Sequence, residues 1–280
     1  MLFGSILWGL TWIPLKYFHQ QGWDVIPIVL ITNGAIALFL TPILFKQYAK
    51  WRKQQHYIWI IFITAGVANL AFASAMVYGD VIRVMILFYL LPAWGVLGGK
   101  FFLNEHIDLT RGIALALSLC GAFLVLGGFQ FFDKPASWID ILALLAGFAL
   151  AMNNIAFRAS HKLPVASKMS AVFLGSVVLS AMLLAFNVQP FQTPSFDQLL
   201  PVALFGLCWI LLATLCTQWA VTRLEVGHSS ILIIMELVTA VVSAMWIAGE
   251  RANSIEAIGG LLIVTAAYIE TRRKIIPGAK

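Results

Sequence analysis

A chain of 280 residues that is 61% apolar and only 11% charged exceeds what a soluble fold can bury, since soluble domains run at roughly half apolar and about a quarter charged. Its formal charge of +6 lies at the ends of apolar stretches rather than in one continuous patch, which argues against nucleic acid as a partner. The uncharged runs 25–45, 112–132, 141–157 and 169–196 are near or above the roughly 17 to 25 residues a helix needs to cross hydrocarbon, so an all-α integral membrane protein is expected.

In chain order, spans are expected near 2–18, 24–45, 57–79, 81–103, 109–128, 138–158, 166–187, 198–220, 226–249 and 254–271. The first run has no basic segment ahead of it and no small-residue cleavage site, so it reads as a span rather than a signal peptide. Within it Trp8, Trp12 and Lys16 recur every four residues and share a helical face with Thr11 beside them. That is an aromatic wall suited to organic cations or rings, ending in a lysine that can snorkel to water. Asn33 and Asn69, in the second and third spans, can donate and accept together, which serves solute recognition and interhelical bonding equally.

The fourth span carries Tyr89 and Pro92. The missing N–H of Pro92 should free the carbonyl of Phe88, and Gly95, Gly98 and Gly99 follow, so this span is the one expected to bend. Asp80 with Arg83, and Glu250 with Arg251, read as surface ion pairs at span ends, with a gate as the alternative for the first. Asn153 and Asn154 in the sixth span point about 100° apart and should face different neighbours. Gln218 is the amide of the eighth.

In the ninth span Glu236 is the most informative residue, because a carboxylate near mid-span costs roughly 2.5 kcal/mol or more unless protonated, paired or wetted. Ser229, Glu236, Thr239 and Ser243 fall within about 80° of helical arc, a polar stripe that either lines a cavity or bonds helices together. Trp23, Trp51, Trp59, Trp138, Trp219 and Trp246 sit near span ends, where indoles suit the headgroup layer, whereas Trp8, Trp12, Trp94 and Trp209 sit nearer the middle. Cys120, Cys208 and Cys216 lie inside expected helices without C-x-x-C spacing and read as small buried hydrophobes; no metal and no cofactor is expected.

With the N-terminus inside, 14 of the 18 basic residues, Arg111 and Lys168 among them, fall on the cytoplasmic side, against Lys16, Arg83, Lys134 and Arg251 outside. That bias has the sign expected for both termini in the cytoplasm. At an offset of 145 residues, Leu103-Asn104-Glu105-His106 falls on Ala248-Gly249-Glu250-Arg251 and Ile86 on Ile231, which makes the fourth and ninth spans equivalent. Five spans per half put the second half upside down relative to the first. Inverted repeats of this kind mark transporters whose site lies near the midplane.

A membrane enzyme is the first rival, yet His19, His56, His106, His161 and His228 are dispersed among loops and span ends, and no acid or nucleophile cluster joins them. A structural membrane subunit, the second rival, would explain neither Glu236 nor the repeat. The short loops leave no room for an ATP-binding domain, so a solute or ion gradient is the expected source of energy.

The chain resembles the EamA type of the drug/metabolite transporter superfamily. The likeness is carried by Leu90-Leu91-Pro92-Ala93-Trp94 leading to Asn104-Glu105, and by Met235-Glu236-Leu237-Val238 leading to Gly249-Glu250, and it covers essentially the whole chain. Leu237 stands where the family usually has proline, so a bend there has no proline to drive it. The resemblance implies ten transmembrane helices in two five-helix repeats, 1–130 and 138–273, around a cavity walled by spans one to four and six to nine. It also implies an exporter of amino acids, other metabolites or drugs in a bacterial inner membrane. The expected unit is a monomer or weak homodimer, and its partners are a small-molecule solute, membrane lipid and, as a candidate co-substrate, protons. The candidate solute-binding residues are Trp8, Thr11, Trp12, Asn33, Asn69, Tyr89, Asn153, Gln218, Glu236 and Thr239.

Overall fold

The structure, a computed structural model, describes residues 1–78, 81–125, 135, 137–186, 196–247 and 254–272. Its regular elements are all helices: α1 (Leu2–Gly9), α2 (Trp12–Gln20), α3 (Val25–Lys46), α4 (Tyr48–Trp51), α5 (Gln55–Tyr78), α6 (Val81–Phe88), α7 (Leu91–Leu103), α8 (Leu109–Val125), α9 (Trp138–Ala159), α10 (Val165–Ala185), α11 (Phe196–Leu204), α12 (Leu211–Arg223), α13 (Val226–Ile233), α14 (Met235–Ile247) and α15 (Ser254–Arg272). A tight turn, Arg52–Gln54, joins α4 to α5, and a π-helical turn, Phe205–Ile210, joins α11 to α12.

Among the described residues, six stretches are long and apolar enough to cross a membrane: Val25–Lys46, Tyr48–Ala75, Trp138–Ala159, Val165–Ala185, Phe196–Arg223 and Val226–Ile247. Large apolar side chains such as Leu38, Phe39, Phe101, Leu109 and Trp246 face outward and stay exposed, a surface that only hydrocarbon stabilises. Trp59, Trp138 and Trp219 are exposed as well, which agrees with anchoring at the interface. The cysteines depart from expectation: Cys120 and Cys208 are exposed and Cys216 is half-buried, because a thiol is greasy enough to face lipid as readily as protein.

Among the described residues, three of the expected spans are each interrupted by a short turn. Between α1 and α2 the bonds Thr11 N–H to Trp8 O (3.0 Å) and Ile13 N–H to Leu10 O (3.2 Å) tighten the chain. Between α6 and α7, Leu90 N–H reaches Leu87 O at 3.3 Å, and Pro92 occupies the first turn of α7, where its missing N–H is tolerated. The carbonyl of Phe88 is covered by Gly147 of α9, where a side-chain carbon would stand 2.7 Å from that oxygen. Between α13 and α14, Ile234 N–H bonds Ile231 O at 3.3 Å and Leu237 N–H bonds Ile234 O at 2.9 Å. The ninth stretch therefore breaks without a proline. Tyr89 and Ile234, which stand at the two breaks, are separated by the same 145 residues that align the sequence with itself.

The core is built by pairing: α5 packs on α9 and α10, α3 on α10, α8 on α15, α7 on α9 and α13, and α1 on α12 and α14. At one end of the bundle two basic residues leave the surface. Arg111 and Lys168, expected among the topology-setting surface charges, are both 0% exposed. Lys168 Nζ donates to the carbonyls of Phe157 and Ser160, at 3.1 and 3.3 Å, so it caps the C-terminal end of α9, and to Thr222 Oγ1 at 3.1 Å. Arg158 Nη1 donates to the carbonyls of Thr222 and Arg223 at 3.1 and 3.0 Å, tying α9 to the end of α12.

Candidate functional site

The two central breaks meet through one bond. Tyr89, in the two-residue turn between α6 and α7, donates its hydroxyl to Glu236 Oε1 at 2.8 Å, and Glu236 lies in the first turn of α14. The break explains why a carboxylate is tolerated there: anions are stabilised at a helix N-terminus, where N–H groups lack intrahelical partners. Tyr89 is 2% exposed, whereas Glu236 and Thr239 keep part of their surface accessible. An acid that is hydrogen-bonded through one oxygen, on a half-buried residue within an apolar bundle, suits binding a cationic or hydrogen-donating group.

The first stretch is pressed against this acid. A side-chain carbon at Gly9 would stand 2.5 Å from Glu236 O and 2.7 Å from Thr239 Cβ, so only glycine lets α1 approach α14 this closely. Trp12 then donates its indole N–H to Ser243 Oγ of α14 at 3.0 Å, and Ser243 in turn donates to Ala240 O at 2.8 Å. Thr11 donates to Leu7 O at 2.9 Å and accepts from Trp209 Nε1 at 3.1 Å, and the same indole bonds Leu7 O at 3.0 Å. Trp8 and Trp12 are half-buried. The turn at Leu10 and Thr11 lies between the two tryptophans, and the side chain of Lys16 lies outside the described residues.

The polar stripe of the ninth stretch is also divided by its break. Ser229 lies in α13, fully buried, and donates to Val226 O at 3.0 Å, while Thr239 donates to Met235 O at 3.1 Å. The amides mostly find protein partners. Asn33 donates to Val29 O (2.8 Å), Asn69 to Ser176 Oγ of α10 (2.7 Å), and Asn153 to Ile61 O and Thr64 Oγ1 of α5 (3.2 and 3.1 Å). Gln218 donates to Asn154 Oδ1 at 3.3 Å. Asn153 and Asn154 thus face different helices. The Asn33 bond stays within α3, whereas interhelical bonds like those of Asn69, Asn153 and Gln218 average about 0.6 kcal/mol in membranes, enough to orient helices without setting the fold.

The structure therefore gathers Glu236, Tyr89, Thr239, Trp12 and Thr11 around the breaks and distributes Asn33, Asn69, Asn153 and Gln218 along helix seams. Trp209 joins the first group, and its position near the middle of an apolar span was the available signal. Trp94 stacks edge-on against Phe148 at 5.7 Å, and its indole nitrogen is buried with no hydrogen-bond partner among the described residues. The pairs Asp80 with Arg83 and Glu250 with Arg251 lie outside the described residues or side chains.

Helices that break inside the bundle beside a half-buried glutamate, within a shell of outward-facing apolar side chains, are features that membrane transporters share. The chain matches the EamA-like transporter family over residues 1–127 and again over 137–271, and it belongs to that family, within the drug/metabolite transporter superfamily. An uncharacterized transporter of Bacillus subtilis (strain 168), YoaV, is 22% identical over 287 residues, covering 97% of this chain and 96% of its own. One solved crystal structure aligns with a TM-score of 0.70 at 18% identity, covering 96% of this chain and 95% of that one. At that identity the likeness concerns the fold alone.

Proposed function

We propose that the chain exports small polar metabolites, amino acids or related solutes, by alternating access, through ten transmembrane helices arranged as two inverted five-helix repeats, 1–130 and 138–273. The observation that carries this reading is the Tyr89–Glu236 bond, which joins two helix breaks 145 residues apart. Broken helices at corresponding positions of two halves supply the free helix ends that hold a polar solute at the midplane. The packing supports an inverted repeat, because several of the main helix pairings have a counterpart when the first five expected spans are exchanged with the last five: α5 on α9 matches α1 on α12, and α7 on α9 matches α14 on α1. Gly147 facing Phe88 O and Gly9 facing Glu236 O are a matching pair of close approaches.

In this reading Glu236 binds the solute's amino group or a proton, with Tyr89 and Thr239 orienting the solute and Trp8, Trp12 and Thr11 walling its path. The protein works in the bacterial inner membrane as a monomer or weak homodimer. Purified protein in sealed vesicles should accumulate amino acids or related polar solutes, and an imposed pH gradient should change the rate if protons move too. A screen of such solutes with no uptake above empty vesicles would reject the reading.

Topology follows from the charge bias. A reporter fused after Lys280, and labels near Lys50, Lys162 and Arg223, should all read cytoplasmic. A periplasmic reading after Lys280 would overturn the two-repeat topology.

The tryptophans can be separated by their bonding. Trp12→Ala removes the donor to Ser243 and should lower transport while leaving the amount of folded protein in the membrane similar, and Trp8→Ala should do likewise. Disappearance of both variants from the membrane would assign the two indoles to packing.

A further inference from the structure

Arg111 is fully buried at the start of α8, yet it is surrounded by charge rather than by carbonyls alone. Its guanidinium donates to Glu105 Oε2 (3.4 Å), to Glu270 Oε1 (3.3 Å), to Glu225 Oε2 and to the carbonyl of His106 (3.2 Å). His228 Nδ1 stands 3.7 Å from the same Glu270 oxygen. Glu105 and Arg111 precede the midpoint of the chain, while Glu225, His228 and Glu270 follow it.

The local backbone is shaped for this meeting. Asn104 ends α7 in the left-handed region (φ 55°), and the reversal brings Glu105 N–H back to Gly99 O at 3.0 Å. The Glu105 carboxylate then accepts from Val226 N–H at 2.6 Å and Gly227 N–H at 3.1 Å, capping the N-terminus of α13 from a different part of the chain. Two glycines leave room. A side-chain carbon at Gly99 would stand 2.8 Å from Glu105 Oε2, and one at Gly227 would stand 3.0 Å from Arg111 Cζ. Burial pushes the Glu105 carboxyl above its ordinary value although Val226, Gly227 and Arg111 all pull it down, and Glu225 pushes it the same way as burial. Replacing such buried ion clusters by apolar side chains is often neutral or stabilising, so stability alone does not account for this one.

We propose that Arg111 is the hub of a latch that clamps the loop after α7 to the start of α13 and holds this end of the bundle shut, and that the latch must release for solute to pass there. The proposal rests on the alternating-access reading above. Ser230 reports on it well: fully buried one turn inside the latch, it faces α7 at Gly95, so parting α7 from α13 uncovers it.

The experiment uses full-length protein with Cys120, Cys208 and Cys216 replaced by serine, carrying Ser230→Cys or, beyond the breaks, Thr239→Cys as a target for thiol reagents added from each side of sealed membrane vesicles. Gly99→Ala displaces the Glu105 carboxylate without removing any charge, and Arg111→Lys keeps the charge but loses the fork that reaches several oxygens at once. Either change should speed labelling of Ser230→Cys several-fold from the latch side and slow labelling of Thr239→Cys from the other. Unchanged Ser230→Cys labelling in both variants, with melting temperatures at the parent's value, overturns the latch. Loss of the folded protein in both variants also overturns it, by making the cluster a structural one. Faster Ser230→Cys labelling with Thr239→Cys unchanged keeps the latch and rejects alternating access instead.

Discussion

Glu236→Gln is expected to cut transport at least several-fold and to abolish whatever pH dependence the parent shows. Glutamine keeps the size of glutamate and can still accept from the Tyr89 hydroxyl, so the 2.8 Å bond and the closeness of α1 to α14 survive while the ionisable group is lost. Glu236→Asp keeps an acid about one methylene shorter, and should retain part of the activity and of its pH response. Tyr89→Phe is the complementary change: it leaves the acid and removes its donor. If Glu236 serves only to hold helices together, the Gln variant will transport like the parent at every pH, and that result would falsify the assignment. Melting temperature in detergent belongs beside each rate, because a loss of activity that tracks a loss of stability points to packing.

The largest expected effect on stability lies elsewhere. Gly175 of α10 faces α5 so closely that a methyl group there would overlap the carbonyl oxygen of Phe62, a backbone atom that cannot swing aside. Gly175→Ala must push α5 and α10 apart, and overpacking of this kind costs about 1–3 kcal/mol. Detergent-solubilised protein should melt several degrees lower. Gly260→Ala on α15 is the control, since no atom beyond its own helical turn and chain neighbours lies within 4 Å of the carbon it adds. Removing a mid-helix glycine there should leave stability equal or raise it by about 0.5–1 kcal/mol. Equal melting of the Gly175 variant and the parent would mean that α5 and α10 are not in tight register.

Much of the architecture is legible without coordinates. Apolar runs of span length dictate helices, because inside hydrocarbon each backbone N–H and C=O needs a partner from its own segment. Six described stretches long and apolar enough to cross a membrane fall where spans are expected, and Glu236 stands out simply because a carboxylate in that setting demands a reason. Proline told only part of the story of the breaks. Pro92 marked the expected fourth span, but the expected ninth turns at Ile234 with leucine in the matching place, so no missing N–H drives that turn, and α1 packs beside it with Gly9 against the carbonyl of Glu236.

The candidate site was legible as residue types but not as partners. Asn69 and Asn153 are as able to recognise a solute as the groups around Glu236, yet they bond Ser176 and α5, and a span pattern cannot say which helix lies opposite an amide. Arg111 shows the limit most clearly. In sequence it is one more basic residue at a span end, indistinguishable from those that snorkel to water, and its neighbours Glu225 and Glu270 lie more than a hundred residues away.

The amino-acid sequence by itself determined that the chain is an all-helical multi-pass membrane protein and that an acid, Glu236, lies inside an apolar stretch, because hydrophobicity and span length are local properties summed over about twenty residues. Only the tertiary structure decided that Tyr89 meets Glu236, that Lys168 and Arg111 turn inward, and that α13 begins against Glu105. Those outcomes depend on which helix faces which, and they are set by glycine-sized gaps and buried hydrogen bonds between segments far apart in the chain.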